Sequence, residues 1–113
     1  MSECLFCKIV KKEIPSEVVY ENDDVIAFKD IHPRAPIHIL IIPKTHIGSV
    51  ASVTAKEAQA IPPLFLAAQK IADQFKVKEK GFRTVFNVGA DAGMMVDHLH
   101  LHLLAGKRLF GMG

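Results

Sequence analysis

The chain has 113 residues, a formal net charge of +2 and a hydrophobic content of 50%. This length suits one domain over residues 1–113, and a charged fraction of only 23% excludes a disordered chain. The mild positive charge argues against a nucleic acid duplex as partner, and no apolar run is long enough to span a membrane. The N-terminus lacks the pattern of a secretory signal, so we expect a cytoplasmic protein.

The first elements are short. Residues 4–12 carry apolar side chains at a spacing of three to four, which predicts a short helix that Pro15 stops. Residues 17–20 and 25–28 are rich in β-forming side chains. Because residues 21–24, ENDD, have turn chemistry, these two runs predict a hairpin.

Residues 37–42, IHILII, form a nearly continuous apolar run that Pro43 ends. Such a run is typical of a central strand with both faces covered. His38 interrupts it, and a histidine in this setting is either hydrogen-bonded in the core or faces a site.

A long helix is predicted in the second half of the chain. Thr54 and Glu57 have the spacing of a capping box, and Pro62 with Pro63 breaks the pattern, so the main helix should start near Pro62. Its predicted core stripe has a period of three to four residues and comprises Ala58, Ile61, Phe65, Ala68, Ala72 and Phe75.

Residues 82–88 predict a fourth strand, residues 89–93, GADAG, a small-residue loop, and residues 97–105, DHLHLHLLA, a fifth strand. Five strands with one short and one long helix predict an α+β fold with an antiparallel sheet.

The last strand has an unusual face. His98, His100 and His102 alternate with leucines, so one face is leucine and the other imidazole. Three imidazoles are a poor packing surface because each buried ring nitrogen needs a partner. The pattern favours a metal site or a site where imidazole acts as nucleophile and acid or base. Residues in one line along a strand rarely converge on a single ion, which disfavours a catalytic metal held by all three.

These motifs resemble the histidine triad (HIT) family, and within it the Hint-like branch. The segment HLHLHLL, residues 98–104, fits the signature His-x-His-x-His followed by two apolar residues at every position. Residues 30–31, 35–38 and 43–46, with the sequences DI, APIH and PKTH, continue the resemblance upstream. The resemblance implies a HIT-like fold across essentially the whole chain.

The resemblance also implies an activity. Relatives bind a purine nucleotide, AMP- or GMP-like, and cleave the bond between its α-phosphorus and a leaving group through a nucleotidyl-histidine intermediate. By position, His100 would be the nucleophile and His102 would contact the phosphate oxygens. His38 would orient the nucleophile and share its proton load. Neutral imidazole suits the role because it is nucleophilic at physiological pH and also leaves readily.

The remaining nucleotide contacts follow from the same resemblance. Asp30 would accept from the ribose hydroxyls, and Asn87 with the Gly93 loop would contact phosphate. The base would lie among apolar side chains, for two of which, Leu5 and Leu40, a plain core role is at least as plausible. The full set is Leu5, Phe6, Ile9, Phe28, Ile31 and Leu40.

Cys4 and Cys7 have the spacing of half a zinc site. A redox disulfide and two ordinary buried thiols are the alternatives. The resemblance adds His46 and His98 as the other ligands, which would complete a closed shell around a structural zinc ion. His32 is expected in a surface loop without a role.

One departure from the family pattern bears on function. Met95 stands where relatives often carry a polar residue, and methionine cannot donate a proton to a leaving group. The alternative to a hydrolase is therefore a zinc-containing nucleotide sensor or interaction adaptor with little catalysis.

We also expect a symmetric homodimer. A sheet with one long helix leaves much apolar surface for so small a domain. The pairing would use residues 82–88 as an edge strand and the apolar helix residues outside the predicted stripe, namely Leu64, Leu66, Ala67 and Ile71.

Overall fold

The structure is a computed structural model that describes residues 4–111. Two helices, five strands and two 3₁₀ turns make up the fold, and none of the helices in residues 4–111 is long and apolar enough to cross a bilayer. The helices are α1 (Leu5–Val10) and α2 (Pro62–Gln74), the strands are β1 (Val18–Glu21), β2 (Val25–Lys29), β3 (Ile37–Pro43), β4 (Arg83–Val85) and β5 (Leu101–Ala105), and the turns are Glu57–Ala60 and Ala90–Ala92.

All neighbouring strands are antiparallel, in the order β1-β2-β3-β5-β4. This confirms the predicted α+β fold and places β3 at the centre of the sheet. The predicted hairpin is also present, because the Asn22 Oδ1 accepts from the amides of Asp24 (2.8 Å) and Val25 (2.9 Å) and closes the turn between β1 and β2.

Each face of the sheet covers its own apolar cluster. Ile39, Ile41 and Leu101 point toward α2 and belong to the larger core. The side chains of opposite parity build a smaller cluster with α1, whose buried members are Phe6, Ile9, Ile26, Phe28, Leu40 and Ile42. Because side chains alternate along a strand, the histidines of β3 and β5 lie on the α1 face.

The histidine strand is shorter than predicted. Pairing with β3 runs only as far as Ile41 opposite Leu101, so β5 begins at Leu101 instead of residue 97. The ladder cannot continue because Pro43 has no amide hydrogen to donate. The Leu99 amide instead donates to the Ile47 carbonyl at 2.6 Å. The predicted alternation persists, since Leu99 and the leucines of β5 that follow the same parity are buried. Strand β4, predicted over 82–88, is likewise shorter.

Helix α1 ends earlier than Pro15, at Val10. Lys12 adopts a left-handed φ of 64°, the Glu13 amide donates to the Lys8 carbonyl at 2.9 Å, and the Lys12 amide donates to the Ile9 carbonyl at 3.0 Å. These are the two bonds of a Schellman motif. Local hydrogen bonding, and not the proline, therefore terminates the helix.

The predicted core stripe of the long helix is correct at Ala68 and Ala72, which are buried, and wrong at Phe65, which is exposed. Thr54 and Glu57 form both bonds of a capping box, at 3.0 and 3.1 Å, but they cap the 3₁₀ turn Glu57–Ala60. Because a 3₁₀ turn has three residues per turn instead of 3.6, the helical phase is reset before α2 starts at Pro62 as predicted. The buried side of α2 consists of Leu64, Ala67, Ala68, Ile71 and Ala72, whereas Phe65 and Leu66 are exposed.

Candidate functional site

The four histidines on the α1 face come from two neighbouring strands. Strand β3 supplies His38, β5 supplies His102, and His98 and His100 lie in the segment that enters β5. Leu40 pairs with His102 across the two strands, which places His38 diagonally next to His102. His38, His98 and His100 are buried, and His102 is partly exposed.

A backbone carbonyl fixes the tautomer of His100. Its Nδ1 lies 2.7 Å from the His98 carbonyl oxygen, which can only accept a hydrogen bond. The ring proton of neutral His100 is therefore on Nδ1, and Nε2 holds a lone pair. Phe6 packs edge-on against this ring at a centroid distance of 5.1 Å. A buried imidazole with an oriented lone pair has the form that a nucleophile needs.

His38 contacts His102 and not the side chain of the expected nucleophile. The His38 Nε2 lies 3.0 Å from the His102 Nδ1 and 3.5 Å from the Asp30 Oδ2. The His100 Nδ1 contacts the His98 carbonyl instead, and the expected role of His38 in orienting the nucleophile and sharing its proton load stays a prediction. On the other side of the His102 ring, the Asn87 Nδ2 lies 3.4 Å from the His102 Nε2.

Burial keeps these imidazoles neutral. It lowers the pKa of His102 to about 4, and the neighbouring His100 and His38 act in the same direction. Burial also lowers the pKa of His38, although the Asp30 carboxylate opposes this effect. The pKa of His98 is lowered by burial as well, against the hydrogen bond to Pro43. His38 and His102, which contact each other, therefore present lone pairs and N–H groups instead of positive charge at physiological pH.

The four predicted metal ligands meet at the start of α1. Cys7 Sγ lies 3.2 Å from the His46 Nδ1, and the His98 Nδ1 lies 3.4 Å from Cys4 Sγ and 3.6 Å from Cys7 Sγ. All four ligand atoms lie within 4.8 Å of one another. A tetrahedron with zinc–sulfur and zinc–nitrogen bonds of ordinary length has edges of about 3.3–3.8 Å. The cluster could therefore hold a metal ion.

The outer hydrogen bond of His98 supports the same conclusion. Its Nε2 donates to the Pro43 carbonyl at 2.9 Å, so the lone pair is on Nδ1 and faces the two sulfur atoms. Metal-binding histidines usually donate their other ring N–H to a carbonyl or carboxylate in this way. His46 is exposed, so the cluster opens to solvent on one side.

A second group of potential ligands, Asp30, His38 and His102, also has its donor atoms within 4.8 Å. Here the backbone contact is of the opposite kind. The Arg34 amide donates to the His38 Nδ1 at 3.0 Å, so in neutral His38 the proton is on Nε2, the atom that faces Asp30 and His102. A protonated nitrogen has no lone pair for a metal. This group is therefore built for hydrogen bonding.

The predicted base-binding residues divide into two sets. Phe6, Ile9, Phe28 and Leu40 are buried together in the smaller cluster, and their contact with a base stays a prediction. Leu5 and Ile31 are exposed, and 86% of Ile31 is accessible. Of the predicted phosphate contacts, Asn87 lies at His102, and Gly93 closes the turn Ala90–Ala92 with a left-handed φ of 83°.

Three backbone groups have roles that no sequence pattern predicted. The Arg34 amide, the Pro43 carbonyl and the His98 carbonyl set the tautomers of His38, His98 and His100, respectively. Every residue except proline carries an amide and every residue a carbonyl, so no residue type in the sequence signals these roles. His32, which was expected in a surface loop, is exposed.

Comparison with known proteins agrees with this geometry. The HIT domain family profile matches residues 11–109. The purine nucleoside phosphoramidase of Escherichia coli K12 is 46% identical over 107 residues, which covers 95% of this chain and 90% of that protein. A histidine triad protein structure from Clostridium difficile has a TM-score of 0.95 and 43% identity, covering 100% of this chain and 98% of the other. A HIT family hydrolase structure from Legionella pneumophila has a TM-score of 0.92 and 44% identity over 96% of each chain. The chain therefore belongs to the HIT family.

Proposed function

We propose that the protein is a purine nucleotide-binding nucleotidyl hydrolase of the nucleoside phosphoramidase type. The observation that carries the proposal is the oriented His100, whose Nδ1 donates to the His98 carbonyl at 2.7 Å and leaves Nε2 as a nucleophile. The names of two relatives, a purine nucleoside phosphoramidase and a HIT family hydrolase, support the same reaction class.

In this mechanism the His100 Nε2 lone pair attacks the α-phosphorus while the bond to the leaving nitrogen breaks, and that nitrogen takes a proton from solvent and departs as the amine. The ring then carries a positive charge, which the His98 carbonyl stabilises through Nδ1–H. Water next attacks the phosphorus and gives up a proton to solvent, and the neutral imidazole departs with its electron pair. The nucleotidyl-histidine intermediate splits one difficult displacement into two easier ones.

The neighbouring side chains bind the nucleotide. His102 donates from Nε2 to a phosphoryl oxygen, and Asn87 and the amides near Gly93 add further donors where charge develops. Asp30, which is partly exposed, accepts from the ribose hydroxyls. The base lies along Ile31, Leu5 and the smaller cluster.

We further propose that the ion of the four-ligand cluster is structural zinc. Two thiolates and two imidazoles form a closed shell that zinc prefers, and such a shell would tie α1 to the entry of β5. Thiolate ligands need reduced cysteines, which agrees with a cytoplasmic location.

The catalytic role is tested with the His100→Asn variant. We expect turnover of adenosine 5′-phosphoramidate to be abolished while AMP affinity stays within about tenfold, since the nucleophile contributes little to ground-state binding. Product release is measured by chromatography and AMP binding by calorimetry. The matched control is His32→Asn, which changes an exposed histidine and should retain wild-type turnover. Unchanged turnover in His100→Asn would refute the mechanism.

A second candidate function is a nucleotide sensor or interaction adaptor with little catalysis. The observation in its favour is Met95, whose side chain is 91% exposed and carries no group that could protonate a leaving group. Tight AMP binding by a wild-type protein that shows no turnover would support this alternative.

We also propose a homodimer that uses the exposed apolar residues of α2 and the edge strand β4. Leu66 is 60% exposed, Phe65 is half-exposed, and Phe65 packs against Phe86 after β4 at a ring distance of 6.4 Å. Three of the residues expected at this interface, Leu64, Ala67 and Ile71, are buried in the core and cannot contribute.

The dimer predicts a mass of twice 12.5 kDa by sedimentation equilibrium at micromolar concentration. Phe65→Glu with Leu66→Glu should produce a monomer, because charges would be buried in an apolar interface. Gln74→Glu, at the exposed last residue of the same helix and away from Phe65, is the control and should stay dimeric. A monomeric wild type would refute the interface without affecting the active-site assignment.

A further inference from the structure

The loop between β2 and β3 folds back on the histidine that follows it. The Arg34 amide donates to the His38 Nδ1 at 3.0 Å, and the His38 carbonyl accepts from the Asp30 amide, also at 3.0 Å. A backbone amide can only donate, and it does not lose its proton under physiological conditions. The direction of the hydrogen bond at His38 is therefore fixed by the main chain.

The direction of this hydrogen bond also determines the tautomer of His102. With Nδ1 accepting, neutral His38 carries its proton on Nε2, which lies 3.0 Å from the His102 Nδ1. The His102 Nδ1 must then accept, so the proton of His102 is on Nε2. That atom lies 3.4 Å from the Asn87 Nδ2, which is also a donor, so in this tautomer the two groups do not hydrogen-bond to each other and both are available to an acceptor such as the proposed phosphoryl oxygen.

The hydrogen bonds that link Arg34, His38 and His102 cannot deliver a net proton to a leaving group. Suppose that His102 gave its Nε2 proton to a leaving group and took the Nε2 proton of His38. His38 would then become an anion, because the Arg34 amide donates a hydrogen bond but does not transfer its proton. An imidazolate would be costly in this buried position. The low pKa of His102, about 4, agrees with a ring that stays neutral.

We propose that the Arg34 main-chain amide is a positioning group that holds His102 as a fixed Nε2–H donor and prevents the His38–His102 pair from acting as a general acid. The identity of the acceptor, a phosphoryl oxygen, rests on the proposed function, whereas the tautomers do not. The proton for a departing amine then comes from outside this pair, from solvent or from the substrate.

The tautomers are directly measurable. In the full chain labelled with ¹⁵N-histidine, long-range ¹⁵N–¹H correlation spectra at neutral pH distinguish Nδ1–H from Nε2–H rings. We expect His38 and His102 as Nε2–H tautomers and His100 as the Nδ1–H tautomer. Detection of His102 with its proton on Nδ1, or as a charged ring, would overturn the inference. This result stands whether or not the protein cleaves phosphoramidates, so the two proposals can fail separately.

The role of the amide is tested by removing it. Arg34→Pro deletes the N–H, and Arg34→Ala keeps it as the matched control. In Arg34→Pro we expect a mixture of His102 tautomers and a fall in kcat of roughly 10²-fold, comparable to the loss of one oxyanion donor, with KM within about threefold. Arg34→Ala should keep the wild-type tautomers and kcat.

His38→Ala provides a second variant if the loop does not tolerate proline. It removes the donor to His102 and leaves the Arg34 amide unaltered, so His102 should again lose its single tautomer. If His102 remains entirely in the Nε2–H tautomer in either variant, the hydrogen bonds from the Arg34 amide through His38 do not determine its tautomer.

Discussion

Two clusters of ligand-type side chains lie on the same face of the sheet, and they differ in one backbone contact. In the first, Cys4, Cys7 and His46 meet His98, whose outer nitrogen donates to the Pro43 carbonyl. In the second, Asp30 and His102 meet His38, whose outer nitrogen accepts from the Arg34 amide.

Donor proximity does not separate these clusters, because both have their ligand atoms within 4.8 Å. The clusters differ in the backbone group that contacts the ring nitrogen facing away from each cluster. A carbonyl there places the ring proton on that nitrogen and leaves a lone pair on the other nitrogen for a metal. An amide there places the proton on the nitrogen that faces the cluster, which becomes a hydrogen-bond donor. One face of the sheet can therefore support a metal centre and a hydrogen-bonding pair next to each other, with His100 between them in sequence.

The largest expected effect that distinguishes the clusters is on metal content. Protein purified without added metal should contain about one zinc per chain, and Cys7→Ser should contain almost none, because a tetrahedral site that loses a thiolate binds zinc far more weakly. Elemental analysis by mass spectrometry measures this directly.

The matched variant in the other cluster is Asp30→Asn, which should retain the zinc. Metal that is lost from Asp30→Asn but kept in Cys7→Ser would reverse the assignment of the two clusters. A metal-free protein with a Cys4–Cys7 disulfide would favour the redox alternative.

The next prediction concerns pH and the hydrogen-bonded pair. Because burial lowers the pKa of His102 from 6.5 to about 4, the folded state binds fewer protons than the unfolded chain between these values. The free energy of unfolding should therefore be fully retained above pH 6.5 and should fall as the pH is lowered toward 4. In His102→Asn this fall should be smaller.

Urea titrations at several pH values measure how steeply the free energy of unfolding changes with pH. His32→Asn is the control for loss of an exposed histidine. His38→Asn should also reduce the slope, because the pKa of His38 is lowered in the same direction. Equal dependence on pH in wild type and His102→Asn would mean that the pKa of His102 is the same in the folded and the unfolded protein.

The smallest effect is expected at Met95. If the His38–His102 pair does not supply a proton, then a hydroxyl at position 95 could provide one, and Met95→Ser should raise kcat several-fold for substrates with poor amine leaving groups. Substrates with good leaving groups should change little, since their departure needs no protonation. Met95→Ala separates the added hydroxyl from loss of the exposed side chain. Equal gains on both substrate types would show that Met95 has no bearing on proton donation.

Local patterns predicted most of the architecture. The alternation of histidine and leucine placed Leu99 and the leucines of β5 in the core and the imidazoles on the opposite face, because strand periodicity follows from backbone geometry alone. The Thr54–Glu57 capping box and the start of α2 at Pro62 were also confirmed. Of the stripe predicted for α2, Ala68 and Ala72 are buried but Phe65 is exposed, because the 3₁₀ turn before the helix has a different periodicity, which propensity does not reveal.

The sequence by itself determined the family, the antiparallel sheet, and the set of residues that could bind a metal or act as a nucleophile. Their grouping into two clusters depended on strand register and on the approach of α1 to the sheet, which bring Cys7 to His46 and His38 to His102. Only the tertiary structure decided what each imidazole can do. Its tautomer is set by a carbonyl or an amide of a distant main-chain segment, and those groups are the same for almost every residue, so no side-chain pattern encodes them.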